Sequence, residues 1–238
     1  MGLEFEDRSS ESPYVERVWR SRSAGLDRMT SVATAHWNLV VWEEAGQARA
    51  AVQGPETRAS MAPVPPDTTF FGIRFALGTT LPWLPIQQVV DGDLELPDVT
   101  RRRLWLDGAH WPLPDYDNAE HFVRRLVRAG VLVRDLVVAL VLDGGTVELS
   151  IRSVRRHFVR ATGLTSETIR QIERARQAAS LLRDGSSIGD LTHDLGYFDH
   201  PHLARSLSRF IGRTATQLRR QPQDQVSLLY KPWPAALP

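Results

Sequence analysis

The sequence predicts an α+β chain in which a β-rich N-terminal barrel or sandwich precedes an all-α segment, and three observations support this. Apolar residues alternate in short runs as far as about residue 106, then recur at about 3.6-residue spacing from residue 117. Turn-forming glycines and prolines punctuate the first half at roughly 10–15-residue intervals. Charge divides along the same line, since residues 1–120 carry 11 Arg and Lys against 18 Asp and Glu, whereas residues 151–220 carry 13 against 6. A chain of formal net charge +1 thus holds segments of −7 and +7. Such a division points to a polyanion meeting the C-terminal part alone; nucleic acid is the usual one, although a membrane surface also suits a basic helix.

The 238 residues, 42% hydrophobic and 24% charged, suffice for one large or two modest domains with a real core. No cysteine is present, which excludes disulfides, thiolate metal sites, cysteine nucleophiles and thiol redox switching. No uncharged apolar stretch approaches the ~18 residues of a membrane span, and the first residues lack the pattern of a secretory leader. A cytoplasmic protein without membrane contact is expected.

In the first half, residues 37–42 and 70–77 read as strands, separated by turn signals at Gly46, Gly54-Pro55, Pro63, Pro65-Pro66, Gly78 and Asp91-Gly92. Phe71, Ile73, Phe75 and Leu77 alternate onto one strand face and leave Arg74 on the other. His36, Trp37, Trp42, Arg74 and Trp105 form a candidate effector pocket in which Arg74 binds a carboxylate. A core histidine beside aromatics, and an Arg74 at the surface or paired with Asp67, satisfy the same pattern. The stretch His110-Trp111-Pro112-Leu113-Pro114 reads as a proline-stiffened connector. The expected units are therefore residues 1–116, residues 117–220 and a tail over 221–238 that packs back through Val226, Leu228, Leu229, Tyr230 and Trp233.

The second half reads as helices. Phe122, Leu126 and Val127 share one helical face before Gly130. Ser150 caps a helix with Ile151, Val154, Phe158 and Ala161 as its buried stripe and Arg152, Arg155, Arg156 and Arg160 on the opposite face. No carboxylate lies among those four arginines, so the helix repels itself unless an anion approaches. A long helix over about residues 167–183, entered at Thr165 and Ser166 and left at Gly185, turns Ile169, Ile172, Ala175, Ala179 and Leu182 inward. Ser187, with Asp190 three residues on, caps a short helix carrying Ile188, Leu191 and Leu195. Gly196 turns the chain, Asp199 caps the next helix, and Pro201 is tolerated in its first turn. There Leu203, Leu207 and Phe210 face inward while Arg205, Ser208 and Arg209 face outward. A helix, a tight turn and a helix with outward arginines suit a major groove. The long helix, roughly 25 Å at its rise per residue, would hold the two reading helices about one duplex turn apart.

These residues resemble the DNA-binding domain of the AraC/XylS family. The matching signature runs Ser150-Ile151-Arg152-Ser153-Val154-Arg155-Arg156-His157-Phe158, then Gly163, Arg174, Ala178, Leu181 and Leu182. It continues through Leu191, Gly196-Tyr197, the Leu203–Leu207 block and Gly212. The resemblance implies two helix-turn-helix units joined by a linker helix. By position, base contacts would come from Arg152, Arg155 and Arg156 in the first unit, and from His200, Pro201, Ala204 and Arg205 in the second. Residues 143–149 stand where the family has a short turn, so the first positioning helix is expected over residues 134–142. Pro201 and Ala204 replace polar readers, which leaves His200 and Arg205 as the main ones and assigns the second unit more to affinity than to sequence choice.

The segment from Phe70 to Gly78, with Leu84-Pro85 and Val89-Val90-Asp91, resembles the cupin-like regulatory domain of some AraC-type regulators. That resemblance implies effector sensing, dimerisation or both, with double-stranded DNA, RNA polymerase, a small-molecule effector and a second copy as partners. An enzyme is not expected and no cofactor is called for. The first half offers only His36 and His110 and no His-x-His pair for a metal. His200 and His202 lie about 200° apart on one helix, so with His193 they do not close on one ion. The methyl-transferring members of the superfamily need a cysteine that is absent here. The carboxylates Glu43-Glu44 and Asp115/Asp117 fit solvated turns. The alternative is a small-molecule sensor whose DNA-binding unit is vestigial.

Overall fold

The computed structural model describes residues 2–24, 28–65 and 67–220; the tail over 221–238, expected to pack back, lies outside the described residues. β1 (Gly2–Ser9) and β2 (Val15–Ala24) form a long antiparallel hairpin, and β3 (Arg28–Ser31) follows. β4 (Asn38–Glu44) and β5 (Gln47–Gln53) make a second hairpin, followed by β6 (Ser60–Pro63) and β7 (Thr69–Phe75). The short β8 (Thr79–Thr80), a 3-10 turn at Ile86–Val89 and β9 (Asp93–Glu95) lead to β10 (Arg103–Leu106) and β11 (Ala109–Pro112). The main sheet has the order β1-β2-β7-β4-β5-β9, with every neighbouring pair antiparallel. β3 pairs with β6 in a separate two-stranded ribbon.

Two-residue turns set both tight hairpins. Ala45-Gly46 and Asp107-Gly108 each have positive φ at both positions, the backbone whose twist matches that of two flanking antiparallel strands. The second turn corrects the expected connector, because His110, Trp111 and Pro112 belong to β11. An Asp-Gly pair between alternating apolar residues outweighs the prolines, and the Trp111 indole is buried and donates to the Leu106 carbonyl at 3.0 Å.

The two faces of the main sheet bury different things. Val18, Leu39, Val41, Val52, Ile73 and Phe75 point to one side and pack with Leu104, Leu106 and Trp111. Helix α1 (Ala119–Arg128) closes this layer with Phe122, Val123 and Leu126, so it joins the sheet's core although its sequence lies beyond the expected division at 116/117. Fully burying each of these large side chains contributes about 1.5–3 kcal/mol. On the opposite face, Trp19, Asn38, Val40, Trp42, Phe70 and Arg74 look toward the β3–β6 ribbon.

After β12 (Val133–Arg134), which pairs with β8, the chain is helical. The helices are α2 (Leu136–Leu142), α3 (Ile151–Thr162), α4 (Ser166–Arg183), α5 (Ile188–Asp194), α6 (His200–Ile211) and α7 (Ala215–Arg220). The molecule is thus an antiparallel β-sheet region followed by a helical region. The side chains expected to turn inward from α4 are all buried, and with Ala178 they form the spine of a second core. Val32, Ala33, Ala35 and Leu77 of the sheet region enter that same core. Backbone bonds tie the regions further, since the Ala33 and Ala59 amides donate to the Phe210 and Arg209 carbonyls, each at 2.8 Å. Among the described residues no helix is long and apolar enough to cross a membrane.

Candidate functional site

One carboxylate ties α2 to α3, beside the apolar packing of Val138 with Phe158 in a common core. Asp135 caps α2, its Oδ1 accepting from the Val137 and Val138 amides at 3.0 and 3.1 Å, while its Oδ2 lies 2.8 Å from His157 Nδ1 on α3. Ser150 caps α3 by accepting from the Ser153 amide at 3.2 Å, and the helix ends at Gly163 in the left-handed conformation. Phe158, Ala161 and Thr162 are buried. Ile151 is not: it is 74% exposed, which corrects its place in the expected stripe. It is the first residue after the cap, and the packing of α3 is made by residues nearer its C-terminus. Arg152, Arg155, Arg156 and Arg160 are exposed, and among the described residues none forms an ion pair.

The second pair of helices shows the same economy. Ser187 accepts from the Asp190 amide at 3.1 Å to start α5, and Asp199 accepts from the His202 amide at 2.7 Å to start α6. Gly196 between them has φ +68°. Leu203, Leu207 and Phe210 are buried, whereas His200, Pro201, Ala204, Arg205, Ser208 and Arg209 are exposed. Arg209 is the most constrained of these, with its guanidinium 4.9 Å from the centre of the Phe210 ring. His202 Nδ1 accepts from the Phe198 amide at 3.3 Å, and its ring meets Tyr197 edge-on, so it serves the turn. No group of three or more His, Asp or Glu among the described residues is placed to hold a metal ion.

Helix α4 supports both units from between them. Its Arg174 donates to the Gly196 carbonyl at 3.3 Å and stacks 4.7 Å over the Tyr197 ring, which holds the second turn. Burial pushes the Tyr197 hydroxyl above its usual pKa, against a weaker pull from its Ser206 hydrogen bond. Residues 145–221 match the family model described as a helix-turn-helix domain. This segment is an AraC-type helix-turn-helix domain. AraC-type domains are DNA-binding, and the proteins that carry them are typically transcription regulators without enzymatic activity. The match leaves the sheet region unassigned. No curated protein and no solved structure matches the chain.

Phe198, in the tight turn of the AraC-type domain, is 91% exposed and escaped sequence reasoning. The signal available was an aromatic residue placed directly before a helix cap. Leu136 and Leu140 are exposed on α2, the helix expected over residues 134–142.

The sheet region encloses a cavity of about 250 Å³ between the main sheet and the β3–β6 ribbon. Of the five residues expected around a pocket, Trp42 and Arg74 line it, with Arg74 on the face opposite Ile73 and Phe75 as the alternation predicts. His36, Trp37 and Trp105 do not. His36 Nδ1 meets the Phe75 carbonyl at 2.8 Å, and Trp37 stacks on Phe75 at 3.9 Å while donating to the Thr79 carbonyl. Trp105 lies on β10 against His110. Arg74 is 5% exposed rather than at the surface, and the Glu16 carboxylate stands 3.8 Å from its Nε. Desolvation lowers the Arg74 pKa to about 10, partly offset by Glu16.

Sequence reasoning missed Arg176, which reaches the cavity wall from α4. The signal was present, because position 176 falls four residues after Ile172 and three before Ala179, within the stripe read as buried.

Proposed function

We propose that the protein is a cytoplasmic, sequence-specific transcription regulator whose α3 and α6 enter two successive major grooves of a DNA duplex. Arg152, Arg155 and Arg156 are the base readers of the first unit, with Arg160 on the phosphates. His200, Pro201, Ala204 and Arg205 face bases in the second, with Ser208 and Arg209 toward the backbone. The observation that carries this reading is the α3 face, where four exposed arginines lack any carboxylate partner among the described residues. Helix α4, 18 residues and therefore about 27 Å long, is a spacer of the right order for neighbouring grooves. Phe198 adds an apolar contact of the kind made with thymine methyl groups.

In this reading α2 to α7 form the DNA-binding unit, and the sheet region with α1 forms a cupin-like barrel or sandwich that regulates it. A small-molecule effector, a second copy of the chain and RNA polymerase are its proposed partners. Selection of genomic fragments by the full-length protein tests the reading. Enrichment of a common motif, with affinity falling steeply as salt rises, is expected. Binding of all fragments alike, or of none, defeats it.

A second reading, a small-molecule sensor with a vestigial DNA unit, draws support from Pro201 and Ala204 on the exposed face of α6. Ligand-dependent thermal stabilisation without any DNA affinity would favour it.

A further inference from the structure

Strand register sorts the cavity wall into a polar end and an apolar body. Asn38 pairs across β4 with Gln53 on one side and Arg74 on the other. Two residues along, Val40 stands opposite Gly72, which stands opposite Trp19. Two further, Trp42 stands opposite Phe70. The first row is polar, and Arg176 of α4 and Glu56 line the cavity as well. The next two rows present a flat aromatic floor, because Gly72 has no side chain and the Trp19 indole lies across it.

Two buried polar atoms of this wall have no hydrogen-bond partner among the described residues: Asn38 Oδ1 and Trp19 Nε1. Asn38 is only 7% exposed. Buried polar atoms left without partners are rare in native proteins; of these two, the Trp19 indole N–H is a donor that a carboxylate can satisfy, whereas Asn38 Oδ1 is an acceptor that it cannot. Among the described residues, the ionisable groups that line the cavity are Arg74, Arg176 and Glu56, two cations against one carboxylate. Burial pushes the Glu56 carboxyl above its usual range, against the pull of its Ser31 and Ser60 hydrogen bonds. Behind Arg74 stand Glu16, Glu173, Arg17 and His36, none of which lines the cavity.

We propose that this cavity binds a small monocarboxylic acid with a flat apolar body, its carboxylate held between Arg74 of the sheet and Arg176 of α4. A ligand so placed touches the sheet and the helix that joins the two helix-turn-helix units. Occupancy therefore biases how α4 sits on the sheet, and through it the spacing of α3 and α6. The consequence for DNA rests on the function proposed above; the binding itself does not.

Phenylacetate and its neutral isostere phenylacetamide test the proposal on the full-length protein, read by the tryptophan fluorescence to which Trp19 and Trp42 contribute. Saturable quenching by phenylacetate is expected, with phenylacetamide binding at least about tenfold more weakly, as loss of a charge-assisted pair implies. Arg176→Gln should shrink that ratio toward one. A merely structural loss would weaken both ligands together. Val40→Phe, which fills the floor, should abolish both. Absence of saturable quenching by phenylacetate and by hexanoate at millimolar concentration, or equal affinity for acid and amide, overturns the site.

DNA affinity measured with and without phenylacetate separates the two readings. A change of roughly 5- to 150-fold, equal to the change in phenylacetate affinity caused by DNA, is expected. Ligand binding with DNA affinity unchanged overturns the coupling. Ligand binding with no DNA affinity at all defeats the proposed function and leaves the site standing.

Discussion

Arg176, near the middle of α4 and only 2% exposed, donates from Nη1 to the carbonyl oxygen of Ala33 at 2.8 Å. The helix between the α2–α3 and α5–α6 pairs is thus bonded, inside a shared core, to the sheet region.

Arg176→Ala should lower the unfolding free energy by about 1–3 kcal/mol, because truncation removes the donor to a buried carbonyl. Urea denaturation of the full-length chain measures it. An unchanged midpoint would mean that this bond is replaced without loss.

Glu56 couples stability to pH. Its carboxylate accepts from Ser31 at 2.6 Å, yet burial outweighs that bond and raises its pKa above the unfolded value of about 4.3. A raised folded pKa contributes stability in full below the unfolded pKa and loses it as pH climbs through the folded one. Glu56→Gln should therefore gain on the wild type between acid and neutral pH and converge with it in acid. Chemical denaturation across that range reads the difference; a gap that widens toward low pH has the wrong sign.

Arg152→Ala and Arg156→Ala should each cost about 1–3 kcal/mol of DNA affinity at a single base position and relax the choice there. Arg209→Ala should weaken every sequence alike and reduce the salt slope by about one. Competition binding with single-base operator variants distinguishes the two patterns.

Gly72→Ala should destabilise the sheet by about 1–3 kcal/mol, since a Cβ there would come within 2.1 Å of the Trp19 indole. Combining it with Trp19→Leu should cost less than the two changes summed, which a double-mutant cycle in urea would reveal.

Local signals were read well from the sequence. Ser150, Thr165, Ser187 and Asp199 each cap the helix that follows, and Gly196 turns the chain, because caps and turns depend on a few neighbouring residues. Alternation likewise placed Arg74 opposite Ile73 and Phe75. What escaped were relations between distant segments. Nothing near Phe122 announces that α1 packs on the sheet and not among the later helices. The cavity draws on five strands of the main sheet, the β3–β6 ribbon and one residue of α4, so no single stretch carries its pattern. His36 and Trp37 looked like pocket residues for their chemistry, but they precede β4 and their rings bond to the Phe75 and Thr79 carbonyls.

The carbonyls of Arg209 and Phe210 close the last turn of α6 onto the backbone at Ala59 and Ala33. A regulator assembled by exchanging its C-terminal part at the loop before α3 would sever both bonds and strip the cover given by Val32, Ala33, Ala35 and Leu77. Recombination of this helical region with other sheet regions is therefore constrained: a compatible donor must bring its own counterpart of residues 32–35 and 59.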